Sequence, residues 1–93
     1  MKVIQTRHFA RKVKKISAQE KALLDEEIRK IIANPSIGQE KRGTLKGVFV
    51  HKFKIHTTQF LLAYRFPDSQ ILELIMIGLH ENYYRDLDNY LKE

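Results

Sequence analysis

The chain has no cysteine. Disulfides, thiolate zinc sites and iron–sulfur clusters are therefore excluded. It also lacks any long apolar run. The longest, around Leu74–Ile77, falls far short of the roughly 20 residues that span a bilayer. Met1-Lys2-Val3-Ile4-Gln5 has neither the apolar core nor the cleavage site of a signal peptide. The expectation is a soluble, cytoplasmic protein without a membrane role. No histidine pair has the helical His-x-x-x-His spacing of a metal site, and the basic surroundings repel cations. No glycine-rich phosphate loop and no serine nucleophile elbow occurs. No metal or cofactor is implied. Internal repeats and low-complexity segments are missing as well.

Acidic residues are missing from two long windows. Residues 1–19 carry Lys2, Arg7, Arg11, Lys12, Lys14 and Lys15 and no acid. Residues 41–67 carry Lys41, Arg42, Lys46, Lys52, Lys54 and Arg65, again with no acid. The acids gather between Glu20 and Glu27 and between Glu81 and Glu93. A net charge of +6 sorted in this way points to a polyanionic partner, nucleic acid first. With 93 residues, of which 43% are hydrophobic, the chain suits one small folded domain over 1–93.

The periodicity changes along the chain. Val3 and Ile4 read as an opening strand, and Thr6 can cap a helix with Phe9, Val13 and Ile16 on one face. Ser17-Ala-Gln-Glu20 is a capping box. It opens a second helix with an apolar stripe of Leu24, Ile28, Ile31 and Ile32. Asn34-Pro35 should end that helix near Ala33. Residues 35–47 read as loop. From Lys52 to His56 basic and apolar residues alternate, which predicts a strand with one positive, wet face. By that parity His56 joins Lys52 and Lys54, while His51 faces the other way and reads as structural. Thr57-Thr58-Gln59 is read as a turn, Phe60–Phe66 as a strand, and Ile71–Leu79 as a central strand. Tyr83–Leu91 closes as a short helix. The expected class is α+β in the order β-α-α-β-β-β-α, a small antiparallel sheet on an N-terminal helical hairpin.

This order, the basic helical hairpin, Leu45-Lys46-Gly47, Lys52-Phe53-Lys54, Leu62-Ala63-Tyr64 and Gly78-Leu79-His80-Glu81-Asn82-Tyr83-Tyr84-Arg85-Asp86-Leu87 resemble the RelE/ParE superfamily of toxin–antitoxin toxins. The resemblance covers nearly the whole chain and implies a cognate, acidic antitoxin that wraps the toxin. Its RelE-like branch implies a metal-free endoribonuclease cutting mRNA on the ribosome. Its ParE-like branch implies a non-catalytic inhibitor of DNA gyrase. A third reading is a non-toxic basic RNA-binding module.

On the nuclease reading, attack by a 2′-OH needs a base, cations for the charged phosphorane and an acid for the leaving oxygen. The resemblance assigns Lys52 and Lys54 as the paired lysines and His80 as the proton carrier near the C-terminus. It assigns Tyr84 or Tyr83 as the C-terminal tyrosine. One departure stands out: Leu61 occupies a position where many relatives carry arginine. Arg65 has the same strand parity and is the candidate replacement, though about 13 Å further along. Arg7, Arg11, Lys12, Lys14, Lys15, Lys41, Arg42, Lys46 and His56 are the candidate RNA- or ribosome-binding residues.

Overall fold

The computed structural model describes residues 1–41, 43, 46–79 and 82–92. Strand β1 spans Lys2–Gln5, helix α1 Arg7–Val13 and helix α2 Ala18–Ala33. Strands β2 (Gln39–Glu40), β3 (Phe49–Ile55), β4 (Thr58–Asp68) and β5 (Ile71–Leu79) follow, and helix α3 (Tyr83–Lys92) closes the chain.

Local chemistry sets the helix boundaries. The Thr6 hydroxyl accepts from the Phe9 amide at 3.1 Å and starts α1. Ser17 and Glu20 satisfy each other's amides at 3.1 and 3.0 Å, so the capping box is formed as the spacing suggests. Helix α2 ends at Ala33, just ahead of Asn34-Pro35. Leu24 and Ile31 are buried and Ile28 packs beside them. Ile32 is exposed, because a residue directly after Ile31 is rotated about 100° away from the stripe.

The strands form one five-stranded sheet in the order β1-β5-β4-β3-β2. β3, β4 and β5 make the expected antiparallel meander. The sheet as a whole is mixed, since β1 runs parallel to β5 from Lys2↔Ile71 to Gln5↔Leu74. Within the stretch read as loop, Gln39 and Glu40 pair with Val50 and Phe49 as an edge strand. Two residues are too few to show a periodicity. The β3–β4 turn is also tighter than expected. Thr58 already belongs to β4, and His56 takes a left-handed φ of 56° to reverse the chain. β4 continues past Phe66 through Pro67 to Asp68, where its pairing with β5 is irregular.

Side chains alternate between two apolar layers. On one face Phe53, Ile55, Leu62, Tyr64, Leu72, Leu74 and Ile77 meet Phe9, Leu24 and Ile31 of the helical hairpin. On the other, Val48, Val50, Leu61, Ala63, Ile75 and Met76 meet Tyr83 and Leu87 of α3. Ile75 and Met76 share a face because β5 carries a bulge. Ala63 pairs with Met76, but Tyr64 pairs with Leu74. The bulge is clasped by the N-terminus. The Ile75 carbonyl accepts from the Thr6 hydroxyl at 2.6 Å, and the Leu74 carbonyl accepts from the Thr6 amide at 3.1 Å.

Two further contacts tie loops to the sheet. Buried Tyr64 donates to the Pro35 carbonyl at 2.7 Å and accepts from the Gly38 amide at 3.0 Å. His51 of β3 meets Glu27 of α2 at 2.8 Å. This is the structural placement that strand parity suggests for His51.

Candidate nucleic-acid interface

The alternation of β3 sends Phe53 and Ile55 into the hairpin-side core and leaves Lys52 and Lys54 exposed on the opposite face. That face is shared with Val48 and Val50, which α3 covers. Helix α3 therefore roofs one end of the face and leaves the lysine end open. Two ammonium groups two residues apart on an open strand form a point of concentrated positive charge.

The lysines belong to a row that crosses the sheet. Lys52 pairs with Leu61 on β4, and Leu61 pairs with Gly78 on β5. With neighbouring strands about 4.8 Å apart, Lys52 and Gly78 are separated by roughly 10 Å of backbone. Leu61, in the middle of the row, is fully buried and belongs to the α3-side core. It has the contacts of a core leucine. Arg65 lies four residues along β4 on the same face, where Glu73 of β5 holds its guanidinium. It is not brought to the lysine pair.

The two tyrosines separate clearly. Tyr83 is buried, donates to the Met76 carbonyl at 2.7 Å, and lies against Gly78. Burial pushes its phenol far above the ordinary tyrosine range. Tyr84 is half-buried, and the Lys41 ammonium sits 4.6 Å above its ring. Tyr84 is thus the more accessible of the pair. The backbones of Lys41 and Lys46 pair in an isolated β-bridge, and both residues line a depression of about 350 Å³ with Glu40 and Gly43. Gly43 and Gly47 have φ of 68° and 85°, values that favour glycine.

Arg7, Arg11, Lys12, Lys14 and Lys15 are exposed. The last four line a second depression of about 460 Å³ beside His8. His56 departs from its expected place. Its turn position ends the strand parity. His80 and Arg42 lie outside the described residues, as do Leu45 and Glu81 of the two motifs.

Sequence reasoning missed His8. On α1 it faces Tyr90 of α3, with ring centroids 5.6 Å apart. Burial, Lys12 and Arg11 together hold its pKa below the usual histidine value, against the pull of Asp86. The only sequence signal was its place one turn before Lys12. Nothing in the sequence showed that α3 would return to that side of α1. Among the described residues no group of three His, Cys, Asp or Glu is placed to hold a metal ion. No described helix is long and apolar enough to cross a membrane.

Comparison with known proteins adds to this geometry. The family model described as "ParE-like toxin of type II bacterial toxin-antitoxin system" matches residues 3–88. Three solved structures share the fold at low identity. The free Escherichia coli toxin RelE, as a double arginine-to-alanine mutant, has a TM-score of 0.73 at 15% identity, covering 98% of this chain and 95% of its own. RelE in the intact E. coli RelBE toxin–antitoxin complex gives 0.67 at 16%, covering 86% and 96%. The isolated E. coli RelE toxin gives 0.64 at 15%, covering 96% and 97%. No curated protein matches the sequence.

Proposed function

Because the chain belongs to the ParE-like toxins of type II bacterial toxin–antitoxin systems, we propose that it is a toxin acting on mRNA at the ribosome, as a metal-free endoribonuclease. The observation that carries this reading is the open end of the sheet face, where Lys52 and Lys54 stand side by side and exposed. Phosphate needs such charge both to bind and to reach a phosphorane transition state. Lys52 and Lys54 hold the scissile phosphate or take the 2′-OH proton. His80, the next residue after β5, supplies the second proton carrier. Tyr84 stacks or orients at the edge of α3. Arg65, engaged by Glu73, stays outside this group. The exposed cations of α1, with Lys41, Arg42 and Lys46, bind the RNA backbone or ribosomal RNA. His56, at the β3–β4 turn, borders that surface. The protein works in the cytoplasm, and a small acidic antitoxin covers the same positive surface.

A second reading has its own observation. Leu61 is a fully buried core residue where many relatives carry arginine, so no cation projects from the centre of the row. This favours a gyrase inhibitor, which needs a binding surface and no proton chemistry. Primer extension on mRNA after induced expression separates the two. New cuts support the nuclease. Intact mRNA with blocked supercoiling supports the gyrase inhibitor.

A further inference from the structure

Beside Gly78, where the Lys52–Leu61–Gly78 row ends, a cleft of about 250 Å³ opens between α1, β5 and α3. β1 leaves β5 after Leu74, so the far half of β5 forms the floor without β1 beside it. His8 and Lys12 make the α1 wall, Gly78 and Leu79 the floor, and Tyr83 and Asp86 the α3 wall. At Gly78 a β-carbon would stand only 3.2 Å from the Tyr83 ring, so the bare backbone lets that ring pack directly on β5 as the α3 wall. The cleft continues through His8 and Lys12 into the basic depression along α1.

The wall chemistry is bipolar. One side offers an ammonium group and an imidazole, the other a single carboxylate. A simple polyanion track would carry cations alone, and Asp86 would oppose it. A nucleotide answers both walls, because it has an anionic end and a base edge with N–H donors. The volume lies just below the roughly 300–1,000 Å³ of ordinary ligand pockets, which suits one nucleotide and no more. A carboxylate accepts two hydrogen bonds side by side. Guanine is the base that presents two adjacent N–H donors, N1–H and the N2 amine.

We infer that this cleft takes one guanine nucleotide of an RNA strand, its base edge on Asp86 and its phosphate near Lys12. The inference deepens the RNA reading and rests on it.

The test is a titration of the full chain with GMP, IMP, AMP and inorganic phosphate, followed through the His8 ring resonances. A His8→Gln variant assigns those resonances. GMP should shift the His8 signals and bind on the order of tenfold tighter than AMP, the discrimination typical of a bidentate base contact. IMP, which lacks the N2 amine, should fall between them. Asp86→Asn should erase the GMP preference while the protein stays folded, and Lys12→Met should weaken all three nucleotides together. Equal affinity for GMP and AMP, or a GMP preference that survives Asp86→Asn, would overturn the inference. Cut-site mapping separates it from the nuclease reading. A GMP preference without mRNA cleavage keeps the cleft and removes the nuclease. Cleavage with an Asp86→Asn cut-site pattern identical to wild type, and no GMP preference, does the reverse.

Discussion

Thr6 and Ile75, 69 residues apart, meet through a 2.6 Å hydrogen bond from the Thr6 hydroxyl to the Ile75 carbonyl. The same hydroxyl accepts from the Phe9 amide. One side chain thus caps α1 and satisfies a carbonyl that the bulge turns away from the ladder. Thr6→Val keeps the shape and removes both bonds. It should lower stability by about 2 kcal/mol, by loss of the cap and of a bulge partner. Thr6→Ser should recover most of that loss. Urea unfolding of the three proteins checks the order.

Glu27 predicts an acid dependence. Burial raises its pKa, but hydrogen bonds from Lys30 and His51 outweigh it and hold the group below the ordinary value of 4.5. The folded state therefore binds this proton more weakly than the unfolded chain does. The stabilisation is complete above about pH 4.5 and is lost as pH falls through the lower, folded value. Glu27→Gln should flatten the fall in melting temperature over that window. Some fall should remain, because Glu20 in the capping box is shifted in the same direction. An unchanged slope in the variant would remove Glu27 from the account.

Tyr64 and Gly38 predict a pair of related losses. Tyr64→Phe deletes the bonds to Pro35 and Gly38 and should cost about 1–2 kcal/mol. Gly38→Ala should cost at least as much, since its β-carbon would fall 2.8 Å from the Tyr64 hydroxyl and 3.1 Å from the Val50 backbone. Thermal melts of both variants test this.

Leu61→Arg would place a guanidinium in the α3-side core. It should destabilise by several kcal/mol, because Leu61 is fully buried among Val50, Ala63 and Tyr83. An Arg variant as stable as wild type would show that α3 yields at this point.

The two basic regions should behave differently under charge change. Reversing Lys12, Lys14 and Lys15 should weaken RNA binding and flatten its salt dependence, by about one unit of slope for each phosphate no longer neutralised. Neutralising Lys52 and Lys54 should abolish mRNA cleavage with a smaller loss of binding. Filter binding across a salt series, beside primer extension, reads both. Parallel losses in the two sets would remove the division between docking and chemistry.

Much of this was legible in the chain itself. Thr6, Ser17-Ala-Gln-Glu20 and Asn34-Pro35 act through neighbours within a few residues, so the helix boundaries followed from local chemistry. The strict alternation from Lys52 to Ile55 placed the lysines on their face. The features that escaped depend on residues far apart in sequence. His56 left the lysine face because the turn came one residue earlier than the Thr57-Thr58-Gln59 reading allowed. The parallel β1–β5 pairing carries no local pattern. Nor does the meeting of His8 with Tyr90 and Asp86, because it is made by a helix that arrives more than seventy residues later.

The parallel register of β1 on β5 also bears on how the chain matures. Lys2–Gln5 has its partner at Ile71–Leu74, so β1 waits for a strand made well after it. Closing so long a loop is slow and entropically costly, and local contacts form before it. The helical hairpin and the β3–β4 hairpin can assemble before β5 is made, but the sheet edge and the clasp at Ile75 cannot. Helix α3, which follows β5, docks later still. The surface that joins all these elements is therefore complete only after both β5 and α3 have been made.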